Sequence, residues 1–444
     1  MENLEKFETE PINNNNELEN YKNNRIKSKN KNKQKNKYIK AIIYILIISL
    51  LIIILYILIS KLTKNNKEQI YNNYYTVLIG DIGSIHSKLR LLNMTSNITL
   101  IPKVLKELNE TTSSFKSLEE IINKFLVNLT LEQKPQYAFI SLPGPIEDNC
   151  VKTLPNMPYW EPYNGTQLGI KLGINHFIFI NDFVGNGYAI QTKLKENKDY
   201  KVLNRVRPKE NGAKLMIGPG TSLGMGFLLK KENEKNGYYT IGISEGAGRD
   251  YAPKNDYDLK LRNFIKKEIN LENISLDQLC SARALIPIYK YLHIVENYES
   301  DERSKFKRDR YLARKIDKFK DYNNLSEIHN INSEIIKKGL SNRCQLSRRA
   351  LLFFIEIFGE IAGDLALFTL AYNGVYLLGR LTRELTPLIL ENNIFMKHFK
   401  NKDHFWFLLE RIPVYLIQNE NIELIGLREA ARRYLEEKEK NGLN

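Results

Sequence analysis

Cysteine is scarce. Cys150, Cys280 and Cys344 are the only three in 444 residues, and they are too widely spaced and odd in number to form a disulfide framework. Paired CxxC and HxxxH elements are missing too, which excludes a legible zinc-type ligand set. The core therefore reads as that of a protein from a reducing compartment. The chain carries a net charge of +15, but no RNA- or DNA-binding motif accompanies it, so nucleic acid is not an expected partner. Acidic residues are absent from Lys22 to Lys40, where nine Lys/Arg follow an acidic, Asn-rich start. Residues 1–40 are expected to be a disordered arm with a basic end. A second basic block, Arg303 to Lys320, reads as solvated surface or as a polyanion- or membrane-binding stretch. Sequons at Asn93, Asn97, Asn109, Asn128, Asn164, Asn273 and Asn324 carry little weight in so Asn-rich a chain.

What is present starts with a long apolar run. Ala41 to Ser60 is uncharged, dominated by Ile and Leu, and long enough to cross a bilayer. It begins too far from the N-terminus, and is too long, for an ordinary cleaved signal peptide, so residues 41–60 read as a single-pass membrane anchor. The cations before it outnumber Lys61, Lys64 and Lys67 after it, which places the N-terminus in the cytoplasm. That orientation would carry the globular part across the membrane, in conflict with any use of cytosolic nucleotide.

Residues 61–73 form a polar linker. Strands are expected at Tyr74–Gly80, Lys88–Leu92, Ile98–Pro102, Tyr137–Leu142 and Phe177–Ile180, with an amphipathic helix near Ser117–Leu129. A second set of strands is expected at Lys214–Ile217, Met225–Leu229, Tyr238–Ile243 and Val375–Leu378, with a long helix from Arg348 to about Asn373. Between them, 295–343 is charged and Asn-rich and reads as an insertion. The tail from Ile422 to Glu437 is helical and would fold back onto the first part. A hydrophobic content of 43% supports a sizeable core in two lobes. The expected fold is α/β, with mixed sheets flanked by helices. Its small lobe comprises residues 74–192 plus 418–444 and its large lobe residues 193–417.

Three motifs carry chemistry. Phe177-Ile178-Phe179-Ile180 reads as a buried strand that delivers Asn181-Asp182 to the carboxyl edge of a sheet, where α/β proteins bind ligands. The dipeptide either caps the next helix, Gly185 to about Lys195, or presents a carboxylate as a general base. Upstream, Gly80-Asp81-Ile82-Gly83 follows a strand. Downstream, Gly218-Pro219-Gly220-Thr221-Ser222-Leu223-Gly224 follows another. Both are turns whose backbone N–H groups can point at phosphate, and a carboxylate between two such turns suits phosphoryl transfer.

In order and spacing these motifs resemble the bacterial-type glucokinase family, which has the two-lobed actin-like ATPase (ribonuclease H-like) fold. Glu245-Gly246, Asp250-Tyr251-Ala252-Pro253, Ile412 to Ile417, and Leu424-Ile425-Gly426 extend the resemblance. It implies a kinase for glucose or a related hexose that uses ATP, with Asp182 as the base that takes the proton of the sugar 6-hydroxyl. It further implies that Asn181, Glu245, Asp277 and Asn156 bind the sugar. Gly83, Gly220, Thr221, Gly224 and Gly379 would line the nucleotide, and Asp81 would help place Mg²⁺ through water. A homodimer is compatible with it.

The departures bear on activity. Ser84 and Ile85 stand where the family has Gly and Thr, Lys88 where Arg is usual, and Gly248 where a sugar-binding His is expected. Ser222 and Arg380 each replace a glycine. These losses support an alternative, a membrane-tethered pseudokinase that binds sugar or nucleotide, or scaffolds, without turnover. His86 reads as a phosphate donor or an ordinary loop histidine, and Trp160 as a core aromatic.

Overall fold

The computed structural model of the protein describes residues 37, 39, 42–61, 73–154, 157, 160–230, 237–294 and 309–442. Ile42–Lys61 is a helix long and apolar enough to cross a membrane, with its side chains exposed along its length. It belongs to one unit of the chain, and the residues from Asn73 onward form a second.

The second unit is built on two mixed sheets. Strands β1 (Tyr75–Ile82), β2 (His86–Met94) and β3 (Lys103–Thr111) form an antiparallel meander. The next strand, β4 (Tyr137–Leu142), pairs parallel with β1. Short strands β5 (Ile146–Glu147), β6 (Cys150–Val151) and β7 (Tyr163–Asn164) make a small sheet of their own. Parallel pairing of β8 (His176–Asn181) with β4 completes the first sheet in the order β3-β2-β1-β4-β8. Its central strands β1 and β4 are apolar on both faces because both faces are covered. Leu78, Ile82, Leu89 and Ile140 pack toward the helix Leu118–Leu126, which Ser117 caps by accepting from the Glu120 N–H. On the opposite face, Val77, Ile79 and Phe139 meet Leu424, Leu427 and Ala431 of the helix Ile422–Lys440. The end of the chain is thus folded onto its first sheet.

Strands β9 (Tyr200–Val202), β10 (Lys214–Pro219), β11 (Leu223–Lys230), β12 (Tyr239–Ser244), β13 (Val375–Leu377) and β14 (Val414–Ile417) make the second sheet, in the order β12-β11-β10-β13-β14-β9. It too is an antiparallel meander followed by two parallel strands, with β9 added antiparallel at the edge. The buried helix Gln345–Thr369 forms the centre of its core.

Two expectations change. Ile98–Pro102 is a loop, and the strand is β3, which starts at Lys103. Asn97 opens that loop by accepting from the Thr99 N–H at 2.9 Å, while Pro102 has no N–H to offer a ladder. The other concerns the presumed insertion. Residues 295–308 lie outside the described residues, but Arg310–Lys318 and Leu325–Leu340 are helices whose Leu312, Ile316, Ile328, Ile331 and Ile335 are part of the main core. Buried Lys290 ties this segment in, pairing with Glu268 at 2.5 Å and donating to the Phe319 carbonyl at 2.8 Å.

Candidate active site

The carboxyl ends of β1, β4 and β8 and the β10–β11 turn face one cleft of about 640 Å³. Asp182 stands at its centre as the first residue of the helix Asp182–Ala189. Asn181 is the cap of that helix. Its Oδ1 accepts from the Phe183 and Val184 N–H groups at 2.9 and 3.2 Å, and its Nδ2 donates to the Gly144 carbonyl at 3.0 Å. One amide hydrogen of Asn181 remains for a ligand. The cap frees Asp182 from the capping task, and its Oδ1 takes one bond, from the Phe183 N–H at 2.9 Å. Burial, and then the neighbouring Glu423, raise its carboxyl to about 7 against the pull of the Phe183 N–H.

Glu423 was not legible in the sequence as a site residue. It enters because the helix Ile422–Lys440 lies hard against the helix Asp182–Ala189, so close that a Cβ on Gly426 would sit 1.8 Å from the Gly185 carbonyl oxygen. That approach brings the first turn of the last helix into the cleft, where Asn186 Nδ2 donates to Glu423 at 3.3 Å. Asp81 faces Glu423 in the same part of the cleft. Burial first, and Glu423 second, hold the Asp81 carboxyl well above the usual carboxylate range. Lys88, the register partner of Asp81 on β2, works in the other direction. Its ammonium donates to the Glu420 carbonyl at 3.0 Å.

The two turns meet. Ser84 and Thr221 are hydrogen-bonded through their hydroxyls at 3.0 Å, so the side chain that departs from the family pattern spans the cleft. Gly83 donates its N–H to the His86 carbonyl at 3.0 Å, which leaves that group engaged within its own turn. Gly220 likewise donates to the Ser222 carbonyl at 2.9 Å. Gly224 lines the cleft, but its bare Cα is where the ring of Phe183 rests. Gly379 has φ +92°, and a Cβ there would lie 2.7 Å from the Pro219 carbonyl oxygen, so β10 and the chain leaving β13 can pass each other only with glycine at this position. Asp277 accepts from the Leu223 N–H at 2.6 Å and lies 3.8 Å from Arg283, fixing the second turn from below.

Glu245 is exposed on the cleft wall at the start of the turn Gly246–Gly248. A Cβ at Gly248 would meet nothing within 4 Å, so the backbone there leaves open space where the family has a histidine. Asn156 lies outside the described residues. Trp160 is in the first sheet's core, edge-on to Tyr163, and is not part of the cleft. Sequence reasoning also missed the far wall, which the helix Leu325–Leu340 supplies through His329 and Asn332. Asn332 donates to the Ala282 carbonyl at 2.6 Å. Arg380, paired with Glu384 at 2.7 Å, closes the same end. Burial and the Arg380 charge lower both His86 and His329.

The arrangement is a deep cleft with an acid cluster on one side, a glycine-rich turn on the other and cationic groups at one end. The glucokinase family model matches residues 78–434. A glucokinase of Nostoc punctiforme is 31% identical over 359 residues, covering 80% of this chain and 99% of the relative. One from Trichormus variabilis is 30% identical over 365 residues, with the same coverage of each chain. Among solved structures, a glucokinase from an Antarctic psychrotroph superposes with a TM-score of 0.61 at 22% identity, covering 81% of this chain and 100% of the other. The glucokinase of Balamuthia mandrillaris, solved with glucose, gives 0.61 at 17% identity, covering 81% and 94%. With the family model spanning nearly all of the second unit, this chain belongs to the glucokinase family.

Proposed function

We propose that the protein is an ATP-dependent glucose kinase that transfers the γ-phosphoryl group of ATP to the sugar 6-hydroxyl. One observation carries the reading: Asp182 is a half-buried carboxylate in the cleft between the two glycine-bearing turns, released from capping by Asn181 and raised to about 7, near the pH at which a base works best. As the 6-oxygen attacks, its proton passes to Asp182. The new O–P bond forms while the bond from the γ-phosphorus to the β,γ-bridging oxygen breaks, and ADP leaves. Asn181, Glu245 and Asp277 would hold the sugar, and Thr221, Gly220 and Gly379 would lie along the nucleotide. Asp81 would help hold Mg²⁺ through water; among the described residues no group of three His, Cys, Asp or Glu is placed to hold the ion by itself. Bound Mg²⁺ would supply charge neutralisation for the transferring phosphoryl group.

The test is a coupled assay of glucose 6-phosphate formation by the full-length protein with MgATP, run against Asp182→Ala. Turnover that disappears in the variant supports the proposal. A folded protein inert toward every common hexose ends it. A second reading, a pseudokinase, is favoured by the Ser84–Thr221 bond across the cleft together with Ile85 and Gly248. Thermal stabilisation by glucose but not by MgATP supports that reading, and strong stabilisation by MgATP counts against it. We further propose that residues 41–60 anchor the chain in a membrane, that residues 74–192 with 418–444 move as one lobe, and that residues 193–417 move as the other.

A further inference from the structure

The end of the first sheet away from the cleft carries a cluster of exposed apolar residues. Tyr75, Tyr137 and His176 start the three parallel strands there, and the loop between β2 and β3 turns beside them. That loop carries Ile98, Leu100 and Ile101, which are 69%, 41% and 92% exposed, where a polar turn would serve a soluble protein better. Tyr74 at 62% and Leu131 at 83% extend the apolar surface.

The loop is held firmly. Asn97 accepts from the Thr99 hydroxyl at 2.8 Å, Leu100 donates to the Asn97 carbonyl at 3.2 Å, and Arg432 donates to the Ser96 carbonyl at 3.2 Å. Its apolar side chains are therefore presented outward by a braced backbone. Lys103 and Lys134 are exposed at the same end, and the basic last turn of the helix Ile422–Lys440 joins them, opposed by exposed Glu132 and Glu437. This is also where the chain arrives from the apolar helix, because Tyr74 immediately precedes β1. Residues 62–73 can extend no further than about 40 Å, so a bilayer crossed by Ile42–Lys61 is always within reach.

We propose that this end of the first sheet, led by Ile98, Leu100 and Ile101, rests on the surface of the bilayer that the apolar helix crosses, its lysines facing acidic headgroups. The inference rests on the anchor reading above. It turns the cleft, at the opposite end of the same strands, away from the lipid and toward dissolved sugar and nucleotide. Shallow insertion of apolar side chains flanked by cations is the way interfacial elements hold a membrane.

The test uses the full-length protein in vesicles of phosphatidylcholine and phosphatidylserine with brominated acyl chains, which quench tryptophan on contact. Ile101→Trp adds a reporter at an exposed position, and glucose phosphorylation in detergent checks that the variant is folded. The docking predicts that about half or more of the added emission is lost relative to unbrominated vesicles, as expected for a side chain inserted to the acyl boundary. Added emission that stays unquenched, in protein that resists alkaline carbonate extraction, overturns the docking and leaves the anchor standing. Quenching already present in the parent and abolished by Trp406→Phe would put the exposed Phe405–Phe407 stretch of the second sheet's lobe on the lipid instead, and overturns it too. Extraction by carbonate removes the anchor and the docking with it, without touching the kinase reading. A glycan found on Asn97, in the sequon Asn97-Ile98-Thr99, would hold the loop off the lipid and is equally decisive.

Discussion

The turns after β1 and after β10 occupy the same place in two sheets of the same strand order, yet their chemistry is opposite. Around the first turn the chain gathers Asp81, Asp182 and Glu423, all acidic and all in the cleft. Around the second it offers glycine backbone and the Thr221 hydroxyl, and the nearby carboxylate, Asp277, is tied to the Leu223 N–H. Equal topology sets where the groups stand, and side chains divide the labour. The first sheet brings carboxyl groups to the cleft, whereas the second brings a glycine-rich turn and a hydroxyl that carry no net charge.

Breaking the acidic side should have the largest effect. Asp182→Asn keeps an acceptor for the Phe183 N–H but cannot take a proton, so kcat should fall by about 10²–10⁴ with no loss of melting temperature at neutral pH. A coupled steady-state assay beside a thermal melt decides it. Restoring a hydroxyl to the first turn should work the other way. Ile85→Thr would add a donor toward phosphate, worth about tenfold in kcat if the turn is the weak half. No gain would mean that the Ser84–Thr221 bond, not the lost hydroxyl, limits the site.

The acid cluster also predicts a pH dependence. Asp182 must be ionised to act, so kcat/KM of the free enzyme should fall as pH drops through about 7. In Glu423→Gln a neighbouring negative charge is gone, so this limb should shift to lower pH and leave the variant severalfold faster around pH 6. The sign for stability is the reverse of the usual carboxylate case. With its folded value raised, protonated Asp182 contributes stability at low pH that is lost as pH rises through about 7, and Asp182→Asn should flatten that part of the melting curve. The smallest expected effect is Gly248→His. The open space there should accept the ring and lower the KM for glucose about fivefold, the scale of one hydrogen bond, with little change in kcat.

Much of this was legible from residue pattern. The apolar run that ends in Asn181-Asp182 marked both the strand and its carboxylate, and in the structure Asn181 caps the next helix while Asp182 lines the cleft. The resemblance to the family rested on motif order and held. What escaped detection depends on packing between distant segments. Glu423 sits between Ile422 and Leu424 in an ordinary amphipathic tail, and only the contact of Gly426 with Gly185 gives it a place in the cleft. The helix Leu325–Leu340 was hidden by its charged, Asn-rich surroundings, although its Ile positions recur at helical spacing. Ile98–Pro102 misled for the opposite reason, since its apolar residues point outward and periodicity assumes that they point in.

The last helix has a further consequence, for folding. Its first turn completes the acid cluster, and near its end Glu439 accepts from the Tyr75 hydroxyl at 3.1 Å, 364 residues away along the chain. A folding chain whose sheets have formed but whose helix Ile422–Lys440 has not docked lacks part of the cleft. The acid cluster is therefore assembled in the step in which that helix docks. Contacts so distant in sequence are also slow to form, so this docking is the natural checkpoint for a chaperone or a protease to survey.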